Sequence, residues 1–159
     1  MNNEALLIKM VITEWQKQHA RMDKLLETLS EEQLSAETAP GRNTGIYLLG
    51  HLAGVNDAML PLLGFGEKLH PELENIFLTN PDKSNLPKPG LAELKNYWKE
   101  INARLTQHIN ETTPEEWLTR HNAVSEEDFA KEPHRNKLNI LISRTNHLSY
   151  HLGQLVYLK

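Results

Sequence analysis

Apolar residues recur with a helical period in four separate stretches of this chain, and no stretch alternates as a strand would. The first runs from about Asn3 to Leu29 and carries Leu7, Ile8, Val11, Ile12, Trp15, Met22, Leu25, Leu26 and Leu29 at that spacing. Ser30-Glu31-Glu32-Gln33 follows as a capping-box pattern that opens a short further turn of helix, and Pro40-Gly41 closes it. The second helix starts at Asn43 or Thr44, either of which is a good cap, and continues to about Pro61. The third spans about Leu91 to Ile109, with Leu94, Trp98, Ile101, Leu105 and Ile109 on one stripe, and the fourth Asn136 to Leu158.

The connections between these helices differ in character. From Pro61 to Gly90 the chain is interrupted by Pro71, Pro81, Pro87 and Pro89 and by Gly64-Phe65-Gly66. This reads as a long ordered loop with one helical turn near Glu72–Leu78, placed to roof a site or to bridge two helices. The connection after the third helix contains Thr113-Pro114-Glu115-Glu116-Trp117, with Thr as cap and Pro at the first helical position. Glu126-Glu127-Asp128 reads as solvated surface. Short pairings fit within the two loops, but no regular strand does. The expected fold is all-α: one domain over residues 1–159, built as a four-helix bundle with two long connections.

Composition narrows the function. A net charge of −4 gives no electrostatic case for nucleic acid or for an anionic membrane surface. With no cysteine, the chain has no disulfide, thiolate metal site or cysteine nucleophile, which is consistent with a cytoplasmic protein. The stretch Met1-Asn2-Asn3-Glu4 lacks the positive charge of a signal peptide, and no uninterrupted apolar run approaches the roughly 20 residues of a membrane span.

Chemistry concentrates in the fourth helix. His147 and His151 are four apart, so they stack on one face about one turn from each other, at the spacing that presents two nitrogen ligands to one ion. The main apolar stripe is Leu138, Leu141, Ile142, Thr145, Leu148, Leu152, Leu155 and Val156; at about 100° per residue the two histidines point roughly 120° away from its centre. Tyr150, Leu152 and Leu155 surround the pair along the chain, and Ile140 and Leu158 bracket it on the same side, so this side reads as a second buried seam or a cavity, with Arg144 and Gln154 also on it. His51 lies in a similar apolar setting on the second helix.

Neutral imidazoles suit Zn, Ni, Cu or Fe, and three of them leave coordination positions open to water, whose pKa a bound metal brings from about 16 to about 7. A closed structural zinc site would want four protein ligands. The competing interpretation is a set of hydrogen-bonded core histidines. Gln154 is placed to orient a ligand, and Arg144 either neutralises an anionic substrate or pairs with a carboxylate. Asp57 is a more distant base candidate. Gly50 and Gly54 would let another segment approach the second helix closely. His19, His70, His108, His121 and His134 lack paired spacing and read as surface or loop residues.

Two segments carry a family likeness. Asn43-Thr44-Gly45-Ile46-Tyr47-Leu48-Leu49-Gly50-His51-Leu52-Ala53-Gly54, preceded by Ala39-Pro40-Gly41, resembles the second-helix entry of the DinB-like (damage-inducible) superfamily, which includes the YfiT-like metal-dependent hydrolases. Arg144-Thr145-Asn146-His147-Leu148-Ser149-Tyr150-His151-Leu152-Gly153-Gln154 is similar to that family's His-x-x-x-His-x-Gly-Gln motif. The resemblance implies a four-helix bundle of DinB/YfiT-like type in which His51, His147 and His151 bind a divalent metal, zinc or nickel. It also implies homodimers and a small-molecule substrate, with characterised relatives that include thiol-dependent transferases and an isomerase.

The first expectation is therefore a metal-dependent enzyme that activates water or a small-molecule thiol, a hydrolase or thiol transferase. The alternative is a non-catalytic dimeric helical protein with a structural or vestigial metal site. A weaker third option is a partner-binding module that uses the 61–90 loop.

Overall fold

A computed structural model describes residues 2–159, and among them every regular element is helical. Helix α1 (Asn3–Thr28) starts where the Asn2 side chain accepts a hydrogen bond from the Ala5 N–H at 2.8 Å, and it buries Ile8, Trp15, Met22, Leu25 and Leu26. The short α2 (Glu31–Ser35) opens on the reciprocal Ser30–Gln33 capping box that the sequence predicts. Thr44 caps α3 (Gly45–Asp57), accepting from the Tyr47 N–H, and after Ala58 the chain continues as α4 (Met59–Leu63). The helix expected to run unbroken to Pro61 is thus two pieces. α4 stops at Gly64, whose φ of 77° is a left-handed C-terminal conformation natural to glycine.

The 61–90 segment is more structured than one expected turn. It holds α5 (Glu72–Glu74), which passes directly into a π-helical turn at Asn75–Thr79. Helix α6 (Leu91–Glu111) follows. The next connection contains α7 (Pro114–Trp117), capped by Thr113 with Pro at the first position as expected, and α8 (Glu126–Lys131), which was not expected. The Ser125 side chain caps α8, and the acidic run Glu126-Glu127-Asp128 fills its first turn, where negative charge favours a helix N-terminus. The last long helix is α9 (Lys137–Leu155), ending in a tighter turn over Val156–Leu158. Isolated bridges join Glu37 to Thr44 and Arg120 to Asn136.

α3 lies at the centre, packed against α6, α9 and the α5–π-turn segment, while α1 lies against α9. Of its residues only Ile46 and His51 are not buried. Contrary to the sequence expectation, Gly45–Leu63 is a stretch of 19 residues apolar enough to cross a membrane, yet 72% of its most apolar window is buried inside the protein. A helix apolar on all sides belongs in a core. Trp15, Trp98 and Trp117 complete that core around it.

Some stripe residues face outward instead: Leu7 of α1, 60% exposed, and Ile142 and Val156 of the C-terminal segment lie at the surface, as do Met10 and Tyr150 outside the stripes. Two of the histidines read as surface or loop residues are buried. His19 packs between Trp15 and Trp98, and His121 sits beside Val124 in the α7–α8 connection.

Candidate metal centre

The helix register of α9 and one half-open position of α3 bring three imidazoles to one point. His51 Nε2 lies 3.2 Å from His147 Nε2, which in turn lies 3.1 Å from His151 Nε2. The rings meet edge to face, with centroids 4.5–5.1 Å apart. Nitrogens bound at about 2.0–2.1 Å to one ion lie about 3.3 Å apart around a tetrahedron and about 2.9 Å apart as neighbours around an octahedron. The observed spacings fall between the two and suit either geometry.

Hydrogen bonds on the far side of two rings fix what those nitrogens offer. His51 Nδ1 is 3.0 Å from the Phe77 carbonyl oxygen, which only accepts, so Nδ1 carries the proton and Nε2 presents a lone pair. His151 Nδ1 is 2.6 Å from Gln154 Oε1, with the same consequence for its Nε2. His147 Nε2 then faces two lone pairs at once. It can donate to only one of them, and its own Nδ1 is buried without a partner. A proton on His147 Nε2 leaves one of the two facing lone pairs unmatched, whereas a cation at the centre, with the His147 proton on Nδ1, satisfies all three nitrogens, so the donor set fits a metal ion.

Burial favours the neutral form of two of the three rings. Burial, then the charges of His151, His51 and Arg144, holds the His147 pKa down to about 4. Burial also lowers that of His151, partly opposed by its bond to Gln154. Neutral imidazole is the form that binds metal. All three histidines are partly exposed, and no cysteine or carboxylate joins them as a fourth ligand.

The sequence profile of the DinB superfamily matches residues 14–155. The chain belongs to the DinB superfamily. A solved structure, that of a conserved protein from Enterococcus faecalis, is similar in fold: 18% identity, a TM-score of 0.65, and coverage of 94% of this chain and 93% of that one. A search of curated proteins returned no match.

In this DinB-superfamily chain the other expected site residues divide. Gln154 lies in the cluster, its Oε1 2.6 Å from His151 Nδ1. Arg144 lies one helical turn before His147; its Nε is buried without a hydrogen bond, and its guanidinium has no carboxylate partner among the described residues. Burial lowers its pKa. Asp57 is not part of the cluster. Its two oxygens accept from the Leu69 and His70 N–H groups at 2.8 and 2.9 Å, anchoring the start of the long connection. Tyr150 is 66% exposed and meets His151 only edge-on, so the apolar seam expected around the pair is open on that side.

Two participants were not legible as such. The Tyr47 hydroxyl donates to the Asn80 carbonyl at 2.6 Å and approaches the Phe77 carbonyl at 3.2 Å, tying the π-helical turn to α3 beside His51. The Phe77 carbonyl is backbone and leaves no mark on its own residue type. Its trace is Gly50: a Cβ there would lie 2.5 Å from the Phe77 ring.

Proposed function

We propose that this protein is a metal-dependent enzyme, a hydrolase or thiol transferase, whose ion is held by His51, His147 and His151. One observation carries the reading: three imidazole nitrogens converge, two of them held with lone pairs inward, on a partly exposed face and without a fourth protein ligand. A divalent ion bound there, zinc or nickel, would lower the pKa of a water or small-molecule thiol and polarise an electrophile. Phe77 and Gln154 hold two of the ligand rings in the required tautomer. With no cysteine in the chain, a thiol nucleophile would come from a small molecule. A structural ion would favour four protein ligands and a closed site, so the partial exposure of the triad supports the catalytic reading over a non-catalytic one.

The same proposal extends to the assembly. Residues 1–159 form one domain in which α1, α3, α6 and α9 make a four-helix bundle of the family's type. Two chains pair through the outer face of α1 and α9, a reading supported by the exposed Leu7, Met10 and Ile142; Met10 and Ile142 line one shallow apolar groove.

The test is turnover. Protein loaded with zinc or nickel is assayed on activated esters, and on an aryl halide with a low-molecular-weight thiol. The expected result is a reaction abolished by chelation and absent in His147→Ala. Metal-loaded protein that turns over none of these would favour the non-catalytic reading.

A further inference from the structure

Arg144 was expected to pair with a carboxylate if its role were structural, and no such pair exists among the described residues. The three histidines bring no negative charge, and no carboxylate belongs to their group. A divalent ion on neutral imidazoles leaves that centre two charges positive, and Arg144, one turn away on the same face of α9, adds a third. Its Nε is removed from solvent without a hydrogen-bond partner. An unpaired, partly desolvated guanidinium is costly unless something completes it. Its planar fork matches the two oxygens of a carboxylate or the face of another oxyanion.

We infer that the small molecule acted on or used at this centre carries a carboxylate or similar oxyanion, which Arg144 binds beside the histidine triad. This rests on the metal reading above and adds the substrate class to it. Arg144 is thereby a specificity residue: it reads the charge of the ligand, while the histidines serve the reacting end.

The test uses cobalt(II)-loaded full-length protein, whose visible absorption reports on the triad before any ligand is added. Two arms separate the anion's location. In the first, 3-mercaptopropionate and its neutral amide are titrated and followed by the thiolate-to-cobalt absorption. In the second, propionate is titrated into protein already saturated with the amide thiol. An anion on the thiol predicts that the acid binds about tenfold or more tightly than the amide, and that Arg144→Gln removes this preference without weakening the amide. An anion on the electrophile predicts Arg144-dependent propionate binding in the second arm.

Equal affinity for acid and amide together with no Arg144-dependent propionate binding overturns the inference. So does a preference that survives in Arg144→Gln, since that would be chelation of the cobalt by the carboxylate. Should the variant fail to fold, native protein alone decides: no preference for the acid and no uptake of propionate overturn it. Failure of the metal reading is distinct and earlier, because no cobalt absorption would appear at all.

Discussion

The Phe77 carbonyl accepts a hydrogen bond from His51 Nδ1 at 3.0 Å, and this contact links the long connection to the histidine cluster. It is available because a π-helical turn places Phe77 over α3, and because Gly50 leaves room for the ring. π-Helical turns recur at functional sites for such reasons. The connection thus supports one histidine of the cluster, and it is pinned further by Tyr47 and by the Asp82 carboxylate, which accepts from the Thr44 N–H at 2.7 Å.

Gly50→Ala would put a methyl group where the Phe77 ring lies. We expect a loss of about 1–3 kcal/mol in stability from overpacking. We also expect roughly tenfold weaker metal binding, because the orienting carbonyl moves with the ring. Urea unfolding and competition with a chelator measure the two separately. Unchanged metal affinity in a destabilised variant would show that the Phe77 contact does not tune His51.

Gln154→Leu removes the acceptor for His151 Nδ1. The side chain is only partly buried, so stability should change little. Metal affinity should fall about tenfold, the low end for loss of such a supporting partner. Equal affinity in variant and native protein would mean that Gln154 is a surface amide.

His19 predicts an acid sensitivity of the fold. It is 9% exposed, its Nδ1 bonds to the Trp15 carbonyl at 2.9 Å, and its Nε2 accepts from the Asn56 amide at 3.0 Å. Burial lowers its pKa to about 4, against weaker opposing effects of Trp15 and Asp23. The unfolded chain protonates at an ordinary value, so between about pH 6.5 and about pH 4 the unfolded state binds the extra proton. Stability contributed by neutral His19 is complete above that window and is lost as the pH falls through it, on the order of 3 kcal/mol by its lower end. His147 of the metal-free protein acts in the same direction. Denaturation of metal-free protein at pH 7 and pH 4.5 should show the drop, and His19→Gln should make it smaller. An identical drop in His19→Gln would place the acid sensitivity elsewhere.

The readable parts of this molecule were those with a local physical code. The Ser30–Gln33 box, the Thr113 cap with Pro114 behind it, the start of the second helix at Asn43 or Thr44, and the four-residue spacing of His147 and His151 are set by nearest neighbours along the chain. The partner of that pair, His51, was legible from its apolar setting and from the family motif around it. What stayed hidden depends on distant packing. His19 lacks any local pattern that distinguishes it from a surface histidine; only Trp98 and Asn56, far along the chain, make it a core residue. The outward-facing Leu7, Met10 and Ile142 obey the same helical period as the buried stripe, so periodicity alone placed Leu7 and Ile142 inside. The break at Ala58 and the π-helical turn likewise follow from how the connection seats on α3.

The exposed apolar face predicts the assembly. Met10→Glu and Ile142→Glu would each place a charge in the groove between α1 and α9. If two chains pair there, light scattering should show dimer for the native protein and monomer for the variants, with folded helical spectra throughout. A native monomer, or dimers in both variants, would remove this interface.

The central claim is that the three histidines hold one divalent ion. The direct measurement is metal content by elemental mass spectrometry, on untagged protein offered zinc or nickel and then freed of excess. The account predicts about one ion per chain in the native protein and loss of it in His51→Ala, His147→Ala and His151→Ala. Native protein that takes up no metal, or a His147→Ala variant that keeps its full complement, would contradict it.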